Sequence, residues 1–431
     1  MPHLLPNADT PAMVVPDMKA TLLLLAGLAA ATGSCSSGPA AATRLPEPTG
    51  KFAVGVFNYV FTDSSRPETF TPDTTDFREI AVRIWYPAED PGPDAKPVPY
   101  VENPEARKRA LPDRSPLPPR FFDSAGTWLT SSYRDAVPAL ESCPVVIFSH
   151  AYGAGMNQST VLMEELASHG YVAVSVGHAY ETSHFEYQDG TVRAFSPDNA
   201  ELRLRAIERG KAMDAQAKLN QTEDSEELSA LIRQMNDMRP ATLRSLDIWV
   251  ADIGSAIDRL EEMDREGMFL GMMDLGRIGV IGHSFGGVAA GQALLEDERC
   301  RAGVNLDGLQ LGNMLDQPAG RPMMFVHHDN PGATNKFPNL VFFESATDTA
   351  YLVLVRGTRH LDFSDLCWPP FRRVMPFPEG TFGPIDGLRC LKVQNDLVRE
   401  FFDRHLRGLE APLLYDPSQD YPEIQLRMRA P

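Results

Sequence analysis

The chain has 431 residues, a formal net charge of −18, 43% apolar residues and 23% charged ones. The acidic excess argues against nucleic acid as a partner and supplies no basic patch for an anionic membrane. The apolar share is that of a globular protein, and the length exceeds one average domain while suiting one large domain with insertions.

The N-terminus carries an apolar run at 20–31, too short to span a bilayer, with Lys19 before it. Thr32-Gly33-Ser34-Cys35 follows, then a Ser/Gly/Pro/Ala-rich stretch to Thr43. The pattern is similar to a bacterial lipoprotein signal, with Cys35 as the acylated first residue of the mature chain. Thr32 departs from it, because an aliphatic residue is usual there. The better start is Met18, with 1–17 an extension that fits no signal pattern. The plainer readings are an ordinary secretory signal or a flexible apolar tail on a cytosolic chain. The expected division is an export signal at 1–35, a flexible tether at 36–49, a catalytic domain at 50–415 and a C-terminal tail at 416–431. The expected location is the bacterial cell envelope, by lipid anchor, or the secreted or periplasmic space.

Five cysteines occur: Cys35, Cys143, Cys300, Cys367 and Cys390. Setting Cys35 aside, four remain to pair in an oxidising compartment, with Cys367 and Cys390 the preferred couple across a Pro- and Phe-rich loop. Four unpaired buried thiols are the alternative. No CxxC or HExxH spacing occurs, so neither a metal nor an organic cofactor is expected.

Strands are expected at 52–61 and 77–86, followed by a proline-rich connection at 88–142. The continuous apolar run at 144–149 reads as a buried parallel strand. A helix at 158–169 ends at Gly170, and the next buried strand runs over 171–176. This β–α–β alternation implies a doubly wound, mostly parallel sheet. Residues 197–266 break the rhythm with two or three charged helices parted near Arg239-Pro240. They form either a helical cap or a solvated surface pair, and the last of them, 243–263, packs on the sheet. Strands at 302–306, 322–327 and 351–355 and a helix at 391–406 complete the order.

Between the strand at 277–281 and the helix at 288–295 stands Gly282-His283-Ser284-Phe285-Gly286. Strand–GxSxG–helix is the grammar of the nucleophile elbow of an α/β-hydrolase. The turn forces strain on the serine, so its neighbours two before and two after must lack bulk. Ser284 is the candidate nucleophile, and the Phe285 amide faces the developing oxyanion. An inert serine in a glycine-rich turn is the bland alternative.

The serine needs a base and the base an orienting carboxylate, in chain order Ser, acid, His. Of His327, His328, His360 and His405 downstream, His360 follows the last strand and is the candidate base. His327 and His328 come too early, and His405 lies in the terminal helix as a surface residue. Asp307 and Asp329 both follow strands and both remain candidates for the acid. The second oxyanion donor is the Tyr152 amide, in Ser149-His150-Ala151-Tyr152-Gly153, with His150 bracing that loop. Met263, Met268, Met272 and Met273 either line an acyl pocket or fill the core.

From about 50 to 412 the chain resembles the secreted, plasma-type platelet-activating factor acetylhydrolases and their bacterial relatives. The resemblance rests on Val82-Arg83-Ile84-Trp85-Tyr86-Pro87, Phe148-Ser149-His150, Leu166-Ala167-Ser168-His169-Gly170-Tyr171, Gly282–Gly287, Asn305-Leu306-Asp307-Gly308, Gly357-Thr358-Arg359-His360 and Phe363-Ser364-Asp365. It implies an α/β-hydrolase fold, a serine esterase without cofactor, and Asp307 as the acid. It implies short or oxidised acyl groups on phospholipids, or simple soluble esters, as substrates. Where such chains usually carry glycine after the histidine of the oxyanion loop, this one has Ala151. Two other readings stand beside it. One is a polyester or cutinase-like hydrolase with its acid at Asp329. The other is a non-catalytic, surface-anchored binding protein on a hydrolase scaffold.

Overall fold

The computed structural model describes residues 43–110, 118–187, 192–194, 200–318, 320–375 and 377–431. The export signal, Cys35 and residues 36–42 of the expected tether lie outside them. Among the described residues no helix is long and apolar enough to cross a membrane.

In chain order the strands are β1 (Ala53–Pro67), β2 (Phe77–Ala88), β3 (Ser132–Arg134), β4 (Cys143–Ser149), β5 (Val172–His178), β6 (His184–Glu186), β7 (Val192–Ala194), β8 (Met273–His283), β9 (Cys300–Leu306), β10 (Met323–His328), β11 (Ala350–Val355) and β12 (Ile424–Arg429). The helices are α1 (Pro104–Arg109), α2 (Pro119–Ala125), α3 (Thr160–Ser168), α4 (Ala200–Lys211), α5 (Met213–Leu219), α6 (Ser225–Asp237), α7 (Pro240–Met263), α8 (Phe285–Glu296), α9 (Leu340–Ser345), α10 (Pro369–Val374) and α11 (Gly387–Arg407). Among the described residues ten strands form one sheet in the order β12-β11-β10-β9-β8-β4-β5-β2-β1-β3. Its centre, from β5 through β4, β8, β9 and β10 to β11, is parallel, while β2 and β12 flank it antiparallel.

The apolar runs are buried on both faces, which parallel strands between helix layers require. Along β4, Val145 and Ile147 face one core and Val146 and Phe148 the other. The first core is closed by α7 and α8 through Trp249, Ile253, Ile257, Val288 and Ala293. The second is closed by α3 and α11 through Leu162, Leu166, Leu397, Val398 and Phe401. Helix α11 is amphipathic, is capped by the Asp386 carboxylate on the Arg389 amide, and stops at Gly408 with φ 67°.

Three expectations are corrected at the periphery. The tether is part of the domain from Thr43 on: Leu45 is buried and its amide bonds the Leu129 carbonyl at 2.9 Å, while the Thr49 amide reaches Glu165 at 2.8 Å. The expected tail contains β12, which pairs along β11 from Val355–Ile424 to Ala350–Arg429 and covers that sheet edge. Cys143, Cys300, Cys367 and Cys390 are all buried free thiols. The preferred couple shares one core cluster, where the Cys367 thiol donates to the Gly387 carbonyl and the Cys390 thiol to the Asp362 carbonyl at 3.5 Å each, and both are free.

The insertion is four helices, α4 to α7, and Pro240 stands in the first turn of α7 where its missing N–H costs nothing. Helix α7 packs beside α8 and delivers Asp252 to where the start of β2 meets the end of β5. There Asp252 is fully buried, with Oδ2 at 2.7 Å from Arg78 Nη2, Oδ1 at 3.0 Å from Arg78 Nε and 2.6 Å from Arg66 Nη2, and Oδ2 at 2.9 Å from His178 Nδ1. Burial opposes the charge on Asp252, but Arg78 and His178 outweigh it and hold the carboxyl well below the usual range. Asp252→Ala would leave the buried Arg78 guanidinium short of counter-charge, at an expected cost of about 3–5 kcal/mol. Urea unfolding measures it; a cost under about 1 kcal/mol would mean that Glu68, 3.1 Å from Arg78 Nη1, balances the cation alone.

Candidate active site

The elbow forms where β8 runs into α8. Ser284 has φ 56° and ψ −121°, a conformation that costs an L-residue energy and persists only under surrounding constraint. Its amide is tied to the Leu306 carbonyl at 2.8 Å. The two flanking glycines are required sterically: a Cβ on Gly282 would lie 2.1 Å from the Gly286 carbonyl oxygen, and one on Gly286 would lie 2.1 Å from that of Ser149. Phe285 is the first residue of α8, where a backbone N–H has no intrahelical acceptor.

His360 opens a short 3₁₀ turn (His360–Phe363) after β11, and Asp307 follows β9 at φ 60°. His360 Nε2 lies 3.0 Å from Ser284 Oγ and His360 Nδ1 lies 2.6 Å from Asp307 Oδ2. Asp329 is not brought to His360; its carboxylate accepts the Gly357 amide at 3.3 Å and faces Lys336 at 3.7 Å. It therefore orders the loop that carries His360.

A second histidine, which sequence order had set aside, meets the same acid. His328, at the end of β10, places Nδ1 2.8 and 2.7 Å from the two Asp307 oxygens and its amide 3.0 Å from Oδ1. Burial works against ionising Asp307, yet the hydrogen bonds from His328 and His360 and their charge hold it well below the ordinary carboxylate range. Burial likewise lowers His328, but Asp307 more than offsets that, and its pKa is raised. Parallel pairing of β9 with β10 brings His328 to Asp307, a relation that spacing along the chain does not carry. Asp307, His328 and His360 are also the described group whose donor atoms, all within 4.8 Å, could hold a metal ion. Those same Nδ1 atoms donate to Asp307, so a cation there would have to displace the protons that orient both rings.

The loop after β4 lies beside Ser284. Ala151 is not among the positive-φ residues, so its methyl is tolerated, whereas Gly153 has φ 73°. Gln158 accepts the Ala151 amide at 2.7 Å and donates to His283 Nδ1 at 2.5 Å. His283 must then carry its proton on Nε2, which donates to the His360 carbonyl at 2.9 Å. One side chain thus links the loop, the elbow and the base. His150 donates from Nδ1 to the Ala151 carbonyl at 2.8 Å and braces the loop. The four methionines sit at or before the N-terminal end of β8, the end opposite Ser284. Met272 and Met273 are core residues, Met263 packs against them and Met268 is exposed. An acyl pocket lined by them is ruled out by that placement. His405 is half-buried rather than on the surface, with its Nε2 3.1 Å from the Tyr351 hydroxyl.

A serine elbow on a central strand of a mostly parallel sheet, with an aspartate after the following strand and a histidine after a later one, defines an α/β-hydrolase. The profile of the family described as "Platelet-activating factor acetylhydrolase, isoform II" matches residues 37–412, and the chain belongs to that family. Membership places it among the hydrolases of ester bonds. Platelet-activating factor acetylhydrolase of dog is 24% identical over 391 residues, covering 84% of this chain and 78% of that protein. Its cattle counterpart is 24% identical over 381 residues, covering 85% and 78%. A probable 1-alkyl-2-acetylglycerophosphocholine esterase of Arthroderma benhamiae is 29% identical over 166 residues, covering 34% and 42%. Among solved structures, a ferulic acid esterase from Streptomyces cinnamoneus superposes with TM-score 0.64 at 25% identity, over 90% of this chain and 99% of that one.

Burial, reinforced by His178, pushes His150 down to about 3, and burial with His360 does the same to His283. The unfolded chain protonates both near 6.5. Between those values the unfolded state binds more protons, so stability falls as pH drops from about 6.5 toward 3, by up to about 1.4 kcal/mol per pH unit for each ring. The urea midpoint is expected to be lower at pH 5 than at pH 7.5. An unchanged midpoint would mean that these rings charge inside the fold.

Proposed function

We propose that the protein hydrolyses short-acyl carboxylic esters with Ser284 as nucleophile, His360 as general acid–base and Asp307 as the orienting carboxylate. The single observation that carries this is the continuous chain from Asp307 Oδ2 through both ring nitrogens of His360 to Ser284 Oγ, at 2.6 and 3.0 Å. Because Nδ1 donates to Asp307, Nε2 is the free base that takes the serine proton. Ser284 Oγ bonds to the ester carbon, and the carbonyl electrons move to oxygen between the Tyr152 and Phe285 amides. The tetrahedral species collapses with the C–O bond to the alcohol breaking, and protonated His360 hands its proton to that leaving oxygen. Water, deprotonated by His360, then releases the acid and restores Ser284. In this scheme His328 is a positioning residue: it fixes the Asp307 carboxylate and touches no substrate.

The short-acyl preference is drawn from the acetylhydrolase and acetylglycerophosphocholine esterase names of the relatives, and a phospholipid with a short sn-2 acyl group is the substrate class they favour. The ferulic acid esterase likeness favours soluble esters as a second class. A polyester-type site using Asp329 has less support, since that carboxylate points to Gly357. We further place the chain outside the cytoplasm, exported by the signal at 20–31 and held by lipid on Cys35. This rests on the sequence pattern alone.

Ser284→Ala is expected to abolish turnover while leaving the unfolding transition unchanged. His360→Ala should cost a similar factor, on the order of 10⁴ to 10⁶ in kcat. A tenth of wild-type turnover in clean Ser284→Ala protein would remove the mechanism.

Asp307→Asn should cost roughly 10⁴-fold in kcat by disfavouring the working His360 tautomer. Asp329→Asn, which only loosens the Gly357 loop, should cost far less. Steady-state kinetics on p-nitrophenyl acetate rank the two, and a reversed order would move the acid to Asp329. With esters from acetyl to palmitoyl, kcat/KM should rise by up to about 0.8 kcal/mol per added methylene until the pocket ends, then fall. A profile still rising at palmitoyl would replace the short-acyl assignment with an open groove.

A further inference from the structure

The helical insertion reaches the elbow through Trp249 on α7 and through a cation on α4, neither of which the mechanism above uses. Arg205, on α4, is only 9% exposed. Its guanidinium carbon stands 3.9 Å from the ring centroid of Tyr152 and 4.2 Å from that of Phe285. These two rings lie 6.3 Å apart at 88° and belong to the two residues whose amides flank the oxyanion position. The cation bridges side chains from separate elements, the loop after β4 and the first turn of α8. Arg205 Nη1 is held in turn by Glu181 at 2.5 Å.

Glu181 is fully buried and joined on every side. Its carboxylate also accepts from Ser245 Oγ and from Trp249 Nε1, each at 2.8 Å, and its backbone carbonyl accepts the Gly153 amide at 2.9 Å. Gly153 directly follows Tyr152. Trp249 packs its indole edge-on against Phe285 at 4.8 Å and stacks on His178 at 3.9 Å. The position of the Tyr152 amide relative to the Phe285 amide is therefore set twice, by the Glu181 carbonyl on the loop backbone and by Arg205 across the two rings.

We propose that Arg205 is a positioning residue for the oxyanion hole, and that the insertion carrying it braces the site from behind. This rests on the assignment of the Tyr152 and Phe285 amides made above. A preorganised donor pair acts on the transition state and not on the bound ester, so its misplacement should appear in kcat and leave KM alone. Lysine keeps the charge facing Glu181 but lacks the broad guanidinium that lies against both rings at once.

The test compares wild type, Arg205→Ala, Arg205→Lys and Ser284→Ala, each checked for folding by near-ultraviolet circular dichroism and thermal midpoint. Readouts are kcat and KM on p-nitrophenyl acetate and the inhibition constant of a methyl trifluoromethyl ketone, whose serine adduct carries the oxyanion. Arg205→Ala should lower kcat roughly 10- to 100-fold, hold KM within about twofold, and weaken the ketone in proportion to kcat. Arg205→Lys should regain the wild-type midpoint while regaining little of kcat or of ketone affinity. Folded Arg205→Ala with wild-type kcat and ketone affinity overturns the proposal. So does a loss confined to KM, or a Lys variant that restores kcat fully. If the Ala variant does not fold, the Lys variant decides by the same readouts. Failure of the underlying mechanism shows separately, as activity surviving Ser284→Ala.

Discussion

The site depends on one unfavourable backbone conformation, held by close packing at the end of β8. Ser284 occupies φ 56° because its amide is committed to Leu306 and because Gly282 and Gly286 let three backbone segments meet. The same approach leaves no space above Asp307, since a Cβ on Gly308 would meet the Ser284 carbonyl at 2.2 Å. Asp307 itself has φ 60°, so Ser284 and Asp307 sit on paired strained turns at the ends of adjacent strands β8 and β9. Strain of this kind persists only when its surroundings over-determine it. Here the buried core on both faces of the sheet does so.

Charge at the site is arranged around a single buried carboxylate. Asp307 receives two histidine donors and one backbone amide, so its charge persists despite burial. His360 reaches from there to Ser284, while His328 turns its Nδ1 to Asp307. Around this centre the other buried imidazoles are neutral and directional. His283 links Gln158 to the His360 carbonyl, and His178 links Asp252 to the Ser149 hydroxyl at 2.9 Å. Both His283 and His178 donate from one nitrogen and accept on the other, which fixes their tautomers and the geometry of their neighbours.

The insertion stands in a different relation to the site from a cover. Helix α7 contributes Ser245, Trp249 and Asp252, and α4 contributes Arg205, all to the side of the elbow and its loop. Two buried carboxylates, Glu181 and Asp252, collect these contacts and tie the charged helices to the ends of β5 and β2. A polar insertion thereby supports the apolar sheet through satisfied buried hydrogen bonds, which a half-satisfied set would not do.

The sequence by itself determined the class of fold and pointed to Ser284 and His360. Strand periodicity, buried runs and GxSxG grammar are local, and the central strands β4, β5, β9, β10 and β11 fell within a few residues of their expected places. His360 followed from chain order, because it comes directly after the last parallel strand while His405 lies inside the terminal helix. The acid needed more: Asp307 and Asp329 look alike locally, and resemblance to known chains favoured the first. Only the tertiary structure placed one of them against His360, since that depends on which strands lie side by side. The same holds for His328, for Arg205 across Tyr152 and Phe285, and for β12 returning to the sheet edge. These contacts join residues 21 to 74 or more positions apart, such as Asp307 with His328 and His178 with Asp252, and no local pattern encodes them. Burial then decided which polar groups matter, because a charge or imidazole removed from water must find a partner wherever the fold supplies one.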